Sequence, residues 1–249
     1  MVDQTQFTGA DPYGGTFQLD EETLEAIAAR LEGRARHLFL IDSIAGYLDM
    51  LELSGNESIL DLGCGTGIVA RALAKHPGFK GSITALDISG TLIDMGRQLA
   101  RSEGVEDRID FRTGDACKPG LPEGGFDVLI MHTLVIHVVD PATVLAQGRR
   151  LLRPGGRLVV FDGEFSSLSY LTDESDCGVG TNRKLLSAML VHPTVMRLMP
   201  RLLVDGGFDL DWSHAFVAAR RRPGQFQGVA PSYVAHHAAE NRRHVGAGC

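Results

Sequence analysis

The chain predicts a doubly wound α/β fold, a mostly parallel sheet with helices on both faces, and three observations carry that prediction. Strand-like apolar runs alternate with helical segments from residue 58 to residue 161. The runs are apolar throughout, Leu158-Val159-Val160-Phe161 above all, as strands covered on both faces must be. The turn Gly63-Cys64-Gly65-Thr66-Gly67 sets three glycines at alternate positions between the first strand and the helix after it. Side chains there would block a tight turn or keep the backbone away from a bound molecule.

Taken in order, residues 1 to about 18 carry Gly, Asp, Pro and the aromatics Phe7, Tyr13 and Phe17 without a period. They read either as a loosely packed tail or as a flap over a ligand, with Tyr13 as its aromatic contact. From Asp20 to Leu53 apolar residues recur at three- and four-residue steps behind the acidic first turn Asp20-Glu21-Glu22, which predicts one long helix or two shorter ones. The core then predicts strand 58–62, helix 66–75, strand 82–86, helix 90–102, strand 109–113 and strand 126–131. Pro141 opens a helix to residue 152, and Pro154-Gly155-Gly156 turns into strand 157–161. Residues 166–176 are polar and acidic, and the apolar segment 184–204 is broken at Pro193 and Pro200. Its Met189, Met196 and Met199 suit core packing or an adaptable pocket wall. Two short strands, 209–212 and 214–219, close the periodic part. Residues 220–249 hold Arg220, Arg221, Arg222, Arg242 and Arg243 with much Gly, Ala and His and no period, and read as a poorly ordered tail. The organisation expected is therefore a flap with cap helices over 1–53, a ligand-binding domain over 54–219 with an insertion at about 165–206, and the tail at 220–249.

A chain of 249 residues with 44% hydrophobic residues can bury a large core. Its net charge of −7 offers no general attraction to nucleic acid or anionic lipid, so a small-molecule or peptide substrate is expected. The amino terminus lacks a basic and then apolar leader, and the run 128–139 is interrupted by His132 and His137 and too short to span a bilayer. Cys64, Cys117, Cys177 and Cys249 are scattered, with no Cys-x-x-Cys pair, as expected of reduced thiols in a cytoplasmic protein with no metal site.

Open α/β sheets bind ligands at the carboxyl ends of their strands, and four chemistry-bearing stretches fall there. The first is Asp61-Leu62-Gly63-Cys64-Gly65-Thr66-Gly67. A dinucleotide fingerprint needs its third glycine at position 68, where Ile68 stands, and no Gly-Lys-Ser/Thr of a phosphate loop follows. Asp87 closes the second strand, twenty residues beyond Gly67, where a carboxylate can accept both hydroxyls of a ribose or simply cap the next helix. Asp115, in Thr113-Gly114-Asp115-Ala116, can accept from an exocyclic amine or form an ordinary Gly-Asp turn. Last comes Phe126-Asp127 through His132 and His137 to Asp140-Pro141. Either imidazole could take a proton from a hydroxyl or amine, or be a core histidine bonded to backbone. Five residues apart and without a carboxylate neighbour, the two do not make a metal site.

Asp-x-Gly-x-Gly-x-Gly at 61–67, Asp87, Asp115, the Phe-Asp strand with its histidine and Asp-Pro, and Leu152-Arg153-Pro154-Gly155-Gly156 occur in the order of the class I S-adenosylmethionine (SAM)-dependent methyltransferases. The stretch 59–216 resembles the small-molecule branch of that family. His132 departs from it, since a small or amide residue is usual there. The resemblance implies a seven-stranded Rossmann-like sheet, here with a short last strand, N-terminal cap helices and a lid inserted after strand five. It implies SAM held by Asp61, Gly63, Cys64, Gly65, Thr66, Gly67, Asp87, Ile88, Gly114, Asp115, Ala116 and the backbone of His132. The activity implied is methyl transfer to a small, hydrophobic metabolite, with His137 or His132 as base. Two alternatives stand beside it: a SAM-fold protein that does not transfer methyl groups, and an NAD-dependent oxidoreductase, disfavoured by Ile68.

Overall fold

The computed structural model describes residues 11–165, 190–218 and 228–237. After a 3-10 turn at Thr16–Gln18 come two helices, α1 (Glu21–Ala35) and α2 (Leu38–Met50). The Asp20 side chain accepts the Thr23 N–H at 2.7 Å and starts the first, and the His37 ring accepts the Phe39 N–H at 3.3 Å and starts the second. The core follows as β1 (Ser58–Leu62), α3 (Ile68–Lys75), β2 (Ser82–Asp87), α4 (Gly90–Ser102), β3 (Ile109–Thr113), β4 (Phe126–His132), α5 (Pro141–Leu151) and β5 (Leu152–Phe161). Helix α6 (Val195–Asp205) and strands β6 (Phe208–Ala218) and β7 (Gly228–His237) complete the described chain.

The strands form one sheet in the order β3-β2-β1-β4-β5-β7-β6. Strands β1 to β5 run parallel, and β7 is antiparallel to both β5 and β6. Side chains alternate across the sheet with the period of two that a pleated strand imposes. Ile59, Ile83, Val128, Ile130 and Val159 pack with Ile44 and Tyr47 of α2 and Val69 and Leu73 of α3. Leu60, Leu62, Leu129, Leu158 and Val160 pack on the other face with Val144 and Leu145 of α5 and Met199 and Leu203 of α6. Because β1 lies between β2 and β4, the strand order reverses beside it. A crevice therefore opens at the carboxyl ends of β1 and β4.

Several elements differ from the sequence reading. Helix α3 begins at Ile68 rather than at residue 66, because Gly63, Gly65 and Gly67 all hold positive φ values (+73°, +55° and +75°) and keep the turn open through Gly67. A Cβ on Gly67 would stand 2.7 Å from the Phe111 ring, so that glycine also lets α3 close onto the sheet. Strand β5 starts at Leu152 and passes through the Pro-Gly-Gly turn as a bulge: Phe126 pairs with Leu152, and Val128 next pairs with Arg157. Pro200 lies inside α6 rather than ending it. Strand β6 is continuous where two short strands were expected, with its irregularity between Leu210 and Trp212. Within the stretch read as a tail without regular structure, residues 228–237 form β7 between β5 and β6. Its partner β5 is remote in sequence and Pro231 interrupts its pattern, so no local period announces it. Met196 and Met199 are fully buried core residues, whereas Met189 and most of the insertion lie outside the described residues.

Helix α1 is held to the core by a charged brace. Arg71, 4% exposed, bonds Glu32 of α1 at 2.5 Å and also Glu103, while the Thr66 hydroxyl donates to Glu32 at 2.6 Å. Removing the cation would leave two carboxylates facing each other in a poorly hydrated site. Arg71→Ala is expected to lower unfolding free energy by about 3 kcal/mol in urea titrations. A loss below about 1 kcal/mol would mean that the brace is no stronger than a surface pair.

Candidate active site

The crevice is a cavity of about 280 Å³. Its floor is Asp61, Gly63, Cys64 and Gly65 from the β1–α3 turn, and its walls are the ends of β2 (Leu86 to Ile88), β3 (Gly114 to Cys117) and β4 (His132 to Leu134). His137, Val138 and Val139 follow on the β4 side, and Tyr13, Thr16, Phe17, Leu31 and Arg34 cover it from the amino-terminal segment.

Two buried carboxylates dominate the electrostatics. Asp87 accepts the Gly65 N–H at 2.8 Å on one oxygen and the Ser89 N–H at 2.9 Å on the other. Each oxygen keeps a lone pair for a further donor. Burial raises its pKa above the usual carboxylate value, and the N–H groups of Ser89 and Gly65 oppose that rise. Asp61, 1% exposed, accepts the Ala70 N–H at 3.1 Å on Oδ2, whereas its buried Oδ1 has no partner among the described residues. Burial lifts its pKa to about 7 against the Ala70 hydrogen bond, and the Asp87 charge adds to the rise. A group carrying donors and positive charge would satisfy Oδ1 and favour its ionised form.

Residues 60–160 match the family described as a methyltransferase domain. Curated relatives include a ubiquinone/menaquinone biosynthesis C-methyltransferase of Roseobacter denitrificans, 34% identical over 121 residues, 49% of this chain and 47% of that protein. Another is the 27-O-demethylrifamycin SV methyltransferase of Amycolatopsis mediterranei, 31% identical over 157 residues, 63% of this chain and 53% of that one. The chain spans about half the length of these curated relatives. Among solved structures, a SAM-dependent methyltransferase of Methanosarcina mazei superposes with a TM-score of 0.61 at 22% identity, over 78% of this chain and 98% of that one, a likeness of fold.

The cavity fits SAM on two observations: Asp61 Oδ1, without a partner among the described residues, suits an ammonium, and Asp87 retains acceptor capacity for a pair of hydroxyls. Of the residues predicted to hold the cofactor, Asp61, Gly63, Cys64, Gly65, Asp87, Ile88, Gly114, Asp115, Ala116 and His132 all line the cavity. Thr66 and Gly67 do not: the Thr66 hydroxyl is turned to Glu32, and Gly67 serves the packing of α3 on Phe111. Asp115 makes the Gly-Asp turn, accepting the Cys117 N–H at 2.8 Å, and lines the cavity as well, so the two readings of it are compatible. Asp162 is fully buried, binds the Ile136 N–H at 3.2 Å and fixes the loop after β4; burial raises it to about 6. Among the described residues no group of His, Cys, Asp and Glu is arranged to hold a metal ion, and no helix is long and apolar enough to cross a membrane.

The two histidines differ. His132 stacks on Phe161 with ring centroids 4.6 Å apart, and its Nδ1 lies 3.1 Å from the Tyr47 hydroxyl. Burial, and to a lesser degree the Arg34 charge, push its pKa down to about 3, so it is neutral at physiological pH and a weak base. His137 faces the cavity with Nδ1 2.7 Å from Asp11 Oδ2. The loop between them starts at Thr133, a β-branched residue at φ +55° whose N–H bonds the Phe161 carbonyl at 2.7 Å. Sequence reasoning did not find Asp11, Arg34, Tyr47 or Thr133 as parts of the site. None belongs to a spaced motif; only the Asp11-Pro12-Tyr13 turn chemistry marked its segment.

Asp61 yields a test of site electrostatics that needs no ligand. Its pKa of about 7 in the folded chain lies above the ordinary aspartate value of 3.8 that holds in an unfolded one. The unfolded state therefore loses this proton first, and the carboxyl costs stability progressively as pH rises from about 4 to about 7. Asp61→Asn should leave stability near pH 4 almost unchanged and raise it at pH 8 by on the order of 2–4 kcal/mol in urea unfolding. An equal effect at both pH values would contradict the assignment.

Proposed function

We propose that the chain transfers a methyl group from SAM to a small, largely apolar acceptor. The observation that carries this reading is the pair of buried carboxylates, Asp61 and Asp87, set on a glycine turn at the strand-order reversal with acceptor capacity left over. When bound, SAM supplies an electrophilic methyl group on a sulfonium. The rest of the work falls to this chain. Asp87 accepts the ribose hydroxyls, Asp61 Oδ1 accepts from the ammonium, and Asp115 with the backbone of Ala116 borders the base. Arg34, exposed at the cavity rim, is the cation available to a carboxylate. Tyr13, Phe17, Leu31, Leu134 and Val138 exclude water and hold the acceptor in line. His137 takes the acceptor's proton, and neutral His132 forms the wall.

The part of the insertion after β5 that precedes α6, about 165–194, serves as the lid over the acceptor; α6, expected to belong to it, packs on the sheet through Met199 and Leu203 instead. The lid's described ends support this: the Phe165 N–H bonds the Pro193 carbonyl at 3.1 Å, and His192 bonds Ile136 and Val139 carbonyls at 3.0 Å each, beside the cavity. Residues 11–53 form the opposite cover. The relatives' quinone and rifamycin acceptors point to phenol- or hydroquinone-like substrates. A cytoplasmic site of action, with Cys64 and Cys117 as free thiols, completes the proposal.

Calorimetric titration tests it. SAM and S-adenosylhomocysteine should bind with micromolar affinity, NAD should not bind, and Asp87→Ala should weaken both ligands by 30-fold or more through two lost charge-assisted hydrogen bonds. Labelled methyl transfer from SAM to catechol and hydroquinone probes then follows. Folded protein that binds neither SAM nor S-adenosylhomocysteine would overturn the reading.

A further inference from the structure

The amino-terminal strap, 11–17, is tied to the site by one residue used twice. Asp11 is 1% exposed, although it stands near the start of the described chain. Its Oδ1 accepts the Tyr13 N–H at 2.9 Å and fixes the strap's turn, while its Oδ2 lies 2.7 Å from His137 Nδ1. The Tyr13 ring lies 5.0 Å from the imidazole, centroid to centroid. The strap also brings two polar atoms, the Tyr13 hydroxyl and Thr16 Oγ1, into the cavity wall, buried and without partners among the described residues. A folded chain rarely leaves such groups unpaired unless a ligand completes them.

We propose that Asp11 is the positioning residue of His137, so that the strap, by closing over the cavity, assembles the proton acceptor. The inference rests on the methyl-transfer reading. An ionised carboxylate only accepts hydrogen bonds, so the proton on the Asp11-facing nitrogen must sit on Nδ1. Nε2 is then left with its lone pair, the tautomer that can accept a proton. As the acceptor's nucleophilic atom bonds to the methyl carbon, the carbon–sulfur bond of the sulfonium would break with its electron pair leaving on S-adenosylhomocysteine; the acceptor's proton passes to Nε2, the Nδ1 proton stays on nitrogen, and Asp11 stabilises the resulting imidazolium. The other charge facing His137, Asp162 at the end of β5, acts electrostatically in the same sense. With the strap open, His137 loses both its orientation and its fixed tautomer. Proton removal is thereby coupled to closure over a bound cofactor.

Asp11→Asn is the discriminating variant. Asn can still accept the Tyr13 N–H, but it presents an amide donor to Nδ1 and reverses the tautomer. Long-range ¹H–¹⁵N spectra should show His137 protonated on Nδ1 in the wild-type protein and on Nε2 in Asp11→Asn. Affinity for S-adenosylhomocysteine should stay within about threefold. Turnover of a hydroquinone or catechol methylated by the wild-type protein should fall by 10²–10⁴-fold at saturating acceptor, with KM little changed. A mere latch gives the opposite split: weaker cofactor binding and undiminished turnover at saturation, which would overturn the assignment. So would His137 protonated on Nε2 in the wild type, or one tautomer in both proteins. Wild-type protein that binds no SAM removes the methyl-transfer reading itself, and this role with it, whatever the tautomer.

Discussion

The Asp87 carboxylate is the interaction on which the site depends. By accepting one N–H from the glycine turn after β1 and another from the start of α4, it joins two strand ends that would otherwise meet only through the sheet. Gly65 can donate because its φ is +55°, a conformation costly for any side-chain-bearing residue. The turn is further held by the N–H groups of Gly63 and Cys64, both bonded to the Leu86 carbonyl at 2.8 and 3.0 Å. The result is a rigid shelf at the strand-order reversal with a charge facing the cavity. Rigidity matters there, because a shelf positioned before its ligand arrives spends no binding energy on ordering itself.

The same region concentrates electrostatic cost. Asp61, Asp87 and Asp162 are all buried with pKa values raised by desolvation, and Asp61 and Asp87 repel each other. A fold selected for stability alone would not place three carboxyls there. Thr133 adds local backbone strain at the mouth of the same crevice. These penalties sit where a cationic, donor-rich ligand would relieve them, and the remainder of the core is apolar and closely packed on both faces of the sheet.

Around this centre, covers are attached by different means. Helix α1 is held by the Arg71 brace to Glu32 and Glu103, outside the cavity lining. The strap preceding it is held by Asp11 to His137, inside the site. The first contact fixes a scaffold, and the second ties the strap to an imidazole that faces the cavity. Their chemistry differs accordingly: a many-donor guanidinium for the brace, and a carboxylate–imidazole pair for the site.

Local pattern determined the strand–helix alternation, the glycine turn and the acids at the ends of β1, β2 and β3. Each is written in residues a few positions apart, where period, turn chemistry and spacing operate. Asp61, Asp87 and Asp115 could thus be named as ligand contacts from their positions, and they line one cavity. Tertiary structure alone decided that Asp11 reaches His137 across 126 residues, that Tyr47 reaches His132 across 85, and that Thr66 turns to Glu32 rather than to the cavity. It also decided that β7 enters the sheet between β5 and β6. Apart from β6 with β7, which are neighbours in the chain, those pairings join groups distant in sequence, so no short window of the chain contains both partners. The difference between two similar histidines, one pushed to a pKa of about 3 and one bonded to a carboxylate, likewise comes from burial and neighbours, which only the folded chain supplies.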